Sequence, residues 1–155
     1  MTPQYRPVDK NNWRALTKLK VRDDQMNFVA PNVYSIAQSQ FSFEMDGGHW
    51  NFYPFGIFED ETPVGFFMYA LNLDGKQFQA FIVRLMVDAA NQGKGYGRFG
   101  VETMIEILRG MDQVREVAIS YEPENDAARK LYASCGFVET GEMMGDEVQA
   151  VLKLR

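Results

Sequence analysis

One cysteine and one histidine in 155 residues leave few chemistries open. Cys135 has no partner for an intrachain disulfide, so the fold needs no oxidising compartment. His49 alone cannot assemble a metal site, and no metal is expected. Long apolar runs are missing as well; no stretch approaches the ~18 residues that a membrane-spanning helix needs. A basic surplus is absent, with 16 Lys and Arg against 21 Asp and Glu and a formal net charge of -5. Phosphate contacts need a basic surface, so nucleic acid is not the expected partner; a negative field attracts cations instead. Residues Met1 to Arg6 show no basic region followed by an apolar stretch, so no secretory leader is read there and a cytoplasmic address is expected.

What is present suits a globular fold. The chain is 46% hydrophobic and 24% charged, without repeat or linker, and reads as a single domain over 1–155. Gln4 to Val8 reads as a strand, and Asp9 as the cap of a helix beginning near Lys10, with Trp13, Leu16 and Leu19 buried. Pro31 suits the first turn of a second helix whose inner face is Val33, Ile36 and Ala37. Met45 to Tyr53 reads as a connection, its Gly47-Gly48-His49-Trp50 an exposed loop. Pro54 to Phe58 and Val64 to Leu71 are strands, and Asp74-Gly75 supplies the positive φ of a hairpin turn. Phe78 to Val87 is a long strand, apolar from Phe81 to Val87 except at Arg84. Helical spacing follows in Val101, Met104, Ile105 and Leu108, then in Ala128, Leu131, Tyr132 and Cys135. Strands at Val114 to Ser120, Phe137 to Glu142 and Val148 to Leu154 complete an α+β fold with a mixed, mostly antiparallel sheet.

Between the long strand and the first periodic helix lies Gln92-Gly93-Lys94-Gly95-Tyr96-Gly97. A strand, a glycine-rich turn and a helix start together hold phosphate: glycines admit close approach and the first free N–H groups point at the anion. Lys94 and Arg98 would add charge. The stretch also spells Gly-x-Gly-x-x-Gly at Gly95, Gly97 and Gly100, with Glu122 where a dinucleotide fold keeps its ribose-binding acid. That reading fails: Asp88 to Gln92 separate the strand from the first glycine, and too few β-α units follow. A Walker loop fails for want of a Gly-Lys-Ser/Thr ending.

The pattern resembles the GNAT superfamily of N-acetyltransferases. Its signature Gln/Arg-x-x-Gly-x-Gly/Ala is met by Gln92, Gly95 and Gly97. A second block, Asn-x-x-Ala-x-x-Leu-Tyr-x-x-x-Gly-Phe, is met by Asn125, Ala128, Leu131, Tyr132, Gly136 and Phe137. More narrowly, Phe28 to Ser35 and Ser120 to Asn125 look like bacterial diamine or polyamine acetyltransferases of the spermine/spermidine type.

The resemblance implies direct attack of an amine on acetyl-CoA. It implies that Gln92 to Arg98 bind the pyrophosphate and that Leu85, Met86 and Val87 offer backbone groups to the pantetheine arm. A backbone N–H near Met86 would stabilise the oxyanion. Asn125 is the expected cofactor contact, and equally a helix N-cap. Tyr132 is the expected general acid for the CoA thiolate, although its apolar stripe also suits a core tyrosine. An alkyl ammonium, with a pKa near ~10, must lose a proton before attack, and Glu122 is the candidate base. Asp23, Asp24, Glu44 and Asp46 are candidates to pair with distal ammonium groups. The implied partner is a small-molecule amine; the resemblance also admits a homodimer. Protein or peptide acetylation, or a non-catalytic acyl-CoA-binding module, would fit the same motifs.

Overall fold

The apolar strands of the chain line up side by side in an eight-stranded sheet, seen in a computed structural model that describes residues 2–45 and 48–155. The strands are β1 (Gln4–Pro7), β2 (Phe43–Met45), β3 (Gly48–Glu59), β4 (Thr62–Leu71), β5 (Ala80–Val87), β6 (Glu116–Tyr121), β7 (Val138–Met144) and β8 (Glu147–Lys153). Among the described residues four α-helices interrupt them: α1 (Trp13–Thr17), α2 (Asn32–Gln38), α3 (Tyr96–Arg109) and α4 (Asp126–Ser134). The order across the sheet is β1-β3-β4-β5-β6-β8-β7, with β2 paired to β3. Only β5 and β6 run parallel; the other pairs are antiparallel. This is the expected α+β fold.

Two cores sandwich the sheet. Helix α3 turns Val101, Met104 and Leu108 onto Phe67, Ile82 and Val117, all at most 2% exposed, so the periodicity read for this helix holds. The other core gathers Trp50, Phe66, Met68 and Met86, against which residues of the α1–α2 segment such as Leu19, Val29 and Ile36 pack.

Several expectations change. The supposed connection Met45 to Tyr53 belongs largely to the β2–β3 hairpin: Trp50 is 1% exposed, and His49 Nδ1 lies 2.6 Å from Glu44 Oε1. Exposed His49, Asn51 and Tyr53 alternate with buried Trp50 and Phe52, the period of a half-buried strand. Asp9 caps a turn rather than α1 itself, its Oδ1 accepting from the N–H groups of Asn11 and Asn12 at 2.8 and 3.0 Å. Trp13 is exposed, with Arg14 lying over its ring. On α2 the buried residues are polar, Asn32 and Ser35, while Val33 faces outward. The Asn32 amide can be buried because it donates to Leu16 O at 2.9 Å and meets Met86 Sδ at 3.6 Å. Gly75 has no positive φ; a Cβ there would stand 2.2 Å from Phe78 O, so close approach explains the glycine. Of the expected acidic positions, Asp46, like Gly47, lies outside the described residues.

Candidate active site

Strand β5 leaves its neighbour halfway along. Ala80, Phe81 and Ile82 pair with Val117, Ala118 and Ile119 of β6, and the parallel ladder stops there. Opposite this point the β4–β5 register slips, since Met68 faces Arg84 while Tyr69 faces Ile82, leaving Val83 as an extra residue. Such a bulge bends its strand and re-aims the side chains beyond it. From Arg84 to Val87 the strand stays paired with β4 alone, and the opening toward β6 becomes a cleft of about 670 Å³.

The glycine loop closes one end. Gly93 and Gly95 have φ of +78° and +91°, the left-handed region that favours glycine, and a Cβ on either would meet nothing within 4 Å. Gly95 is the N-cap of α3, so the N–H groups of the first helical turn are left without intrahelical partners. Gln92 buckles the loop: its Nε2 donates to Val87 O at 3.0 Å and to Gln25 Oε1 at 2.7 Å. Open backbone donors, room where side chains would stand and an aligned helix dipole fit a pyrophosphate.

Helix α4 forms the facing wall. Asn125 caps it, Oδ1 accepting from the Ala128 N–H at 3.2 Å, and also lines the cleft. Tyr132 stacks on Tyr121 at 5.9 Å between centroids and is 7% exposed, again on the cleft. Burial, then Cys135 and Tyr121, push its phenol above the ordinary tyrosine range, so it stays protonated at neutral pH.

Most of the expected residues therefore meet in one place: Leu85, Met86, Val87, Gln92, Gly93, Gly95, Tyr96, Gly97, Asn125 and Tyr132 all line the cleft. Three do not. Lys94 is exposed on the loop and is not among the residues that line the cleft. Arg98 ties α3 to the end of α4, donating to Ser134 Oγ at 2.7 Å and pairing with Glu102 at 3.6 Å. Glu122 follows β6 and is absent from the lining; its carbonyl accepts from the Asn125 N–H. The carboxylate that does line the cleft is Glu147, at the start of β8, whose Oε1 accepts from Ser120 Oγ at 2.6 Å. Asp23, Asp24 and Glu44 lie off the cleft, Asp24 beside Arg22 and Glu44 beside His49.

Arg84 also lines the cleft, and its interruption of an apolar run was the one visible signal for it. Nothing local marks Glu147, which the β6–β8 register carries beside Ser120. Among the described residues no group of three or more His, Cys, Asp or Glu is placed to hold a metal, and no helix is long and apolar enough to cross a membrane.

A split sheet, a glycine cradle at a helix start and a tyrosine across the gap are the parts the sequence motifs implied. The chain belongs to the Acetyltransferase (GNAT) family, which it matches over residues 13–137, and it is an acetyl-CoA-dependent N-acetyltransferase. It is similar to the spermine/spermidine N(1)-acetyltransferase of Bacillus subtilis (strain 168), 25% identical over 148 residues and 92% of each chain. Its fold is similar to that of the spermidine N-acetyltransferase of Vibrio cholerae in complex with CoA and spermine. There the TM-score is 0.75 at 16% identity, over 98% of this chain and 95% of that one. The ribosomal-protein-S18-alanine N-acetyltransferase of Escherichia coli also shares the fold, with a TM-score of 0.69 at 18% identity over 99% and 94% of the two chains.

Proposed function

We propose that the protein acetylates a small primary amine in the cleft between β5 and α4, with polyamines or diamines the class its relatives favour. The observation that carries the reading is the parting of β5 from β6 between the glycine cradle and Tyr132. Acetyl-CoA supplies the activated thioester. The backbone N–H groups from Gly93 to Gly97 hold its pyrophosphate, and the backbone of Leu85, Met86 and Val87, unpaired toward β6, holds the arm. An N–H near Met86 faces the charge that develops on the carbonyl oxygen. Tyr132, kept neutral by burial, gives its proton to the departing thiolate. We assign the proton-accepting role to Glu147 rather than Glu122, because only Glu147 faces the cleft. The net charge of -5 favours approach of a cation.

The test is a thiol-release assay with acetyl-CoA against spermine, spermidine, short diamines, amino acids, aminoglycosides and peptides. CoA release with spermidine or a diamine is expected. Release with peptides alone would move the acceptor to protein, and tight acetyl-CoA binding with no release from any amine would leave only a binding module.

A further inference from the structure

Five of the nine arginines of this protein sit beside carboxylates. Arg6, Arg22, Arg98, Arg129 and Arg155 each have one within 2.9 to 3.7 Å. Among the described residues Arg14, Arg84, Arg109 and Arg115 have none, and of these four only Arg84 lines the cleft. Its Nη1 donates to the neighbouring Val83 carbonyl at 2.9 Å, its Nη2 reaches the neutral Gln38 Oε1 at 3.3 Å, and its Nε is buried without a partner. Burial lowers its pKa, while Tyr34 and Glu147 partly offset that. Glu147 lies beyond ion-pair distance among the described residues and is engaged by Ser120. A half-buried guanidinium with two neutral contacts keeps donors to spare, in the planar fork that suits a carboxylate.

The bulge at Val83 explains the placement. Past it, Arg84 and Met86 share the sheet face that α1 and α2 cover, whereas Leu85 and Val87 turn toward α3 and α4. Ser120 lies between neighbours Ile119 and Tyr121, which belong to the α3–α4 core, so with Glu147 it faces the same side as Arg84. The cleft thus carries one cation and one anion on the face opposite the glycine helix.

We infer that Arg84 selects the acceptor by binding a carboxylate, so that the preferred substrate is an amine that also bears a carboxylate, its ammonium directed to Glu147. This rests on amine acetylation in the same cleft, and it ranks amines that carry a carboxylate above the polyamines and diamines that the relatives suggest. A chain with only ammonium groups leaves Arg84 facing like charge.

Matched pairs isolate the carboxylate: lysine against 1,5-diaminopentane, and ornithine against 1,4-diaminobutane. The kcat/KM for the amino acid should exceed that of its diamine by roughly 10–100-fold, the range of a charge-assisted contact. Arg84→Gln should collapse that ratio to near one while acetyl-CoA affinity is unchanged, and Arg84→Lys should recover part of it. A ratio at or below one in the wild type, or an unchanged ratio in Arg84→Gln, overturns the inference. If no amine releases CoA, the acetylation reading falls, and calorimetry of the same pairs on CoA-saturated protein still decides Arg84. Tighter binding of the amino acid that Arg84→Gln abolishes supports it; equal or absent binding of the pair overturns it.

Discussion

The two sides of the cleft present different kinds of groups. The loop from Gln92 to Gly97 offers main chain, with two left-handed glycines and a helix start whose first N–H groups lack intrahelical partners. The opposite face offers side chains, Arg84 from β5, Ser120 from β6 and Glu147 from β8. Backbone groups cannot be changed by substitution, so the first side is tied to one donor chemistry. Side chains can be exchanged one at a time, so the second side is where related proteins sharing this fold can differ in acceptor.

Three substitutions press on that contrast. The largest effect belongs to Tyr132→Phe, which keeps the stacking on Tyr121 and removes only the hydroxyl. It should lower kcat by about 10²-fold or more while acetyl-CoA binds within ~2-fold, measured by stopped assay and calorimetry. Equal losses of kcat and binding would make Tyr132 a piece of the wall instead of a proton donor. Next is Gly95→Val, which forces a β-branched residue to φ of +91° and points its side chain into open space. Holding an L-residue in that conformation costs about 1–2 kcal/mol, so the protein should stay folded while acetyl-CoA affinity drops more than about tenfold. An unchanged Kd would remove the glycine cradle from donor binding. The smallest is Asn125→Ala: losing the cap on the Ala128 N–H should cost about 1 kcal/mol, a fall in Tm of roughly 2–4 °C. A larger fall in acetyl-CoA affinity than in stability would show that Asn125 touches the donor as well as the helix.

The same contrast explains what could be read from the residues alone. Main-chain requirements surface as glycine, so Gly93, Gly95 and the helix behind them were legible, as was Tyr132 on its stripe. Arg84 stood out as a charge in an apolar run, but its direction depends on a bulge that only strand pairing creates. Glu147 and Glu122 look alike in the chain; the β6–β8 register decides which one meets the cleft. Elsewhere, Gly47-Gly48 hid the strand character of His49 to Tyr53, and on α2 buried Asn32 and Ser35 join Ile36 while Val33 and Ala37 face outward.

Three residue pairs join β5 to β6, and beyond them the two strands share no ladder. In the proposed reaction donor and acceptor meet in that gap, so each would fill a space whose width the other also sets. Their affinities are then thermodynamically linked: whatever free energy bound acetyl-CoA adds to the amine's affinity, the amine returns in equal measure.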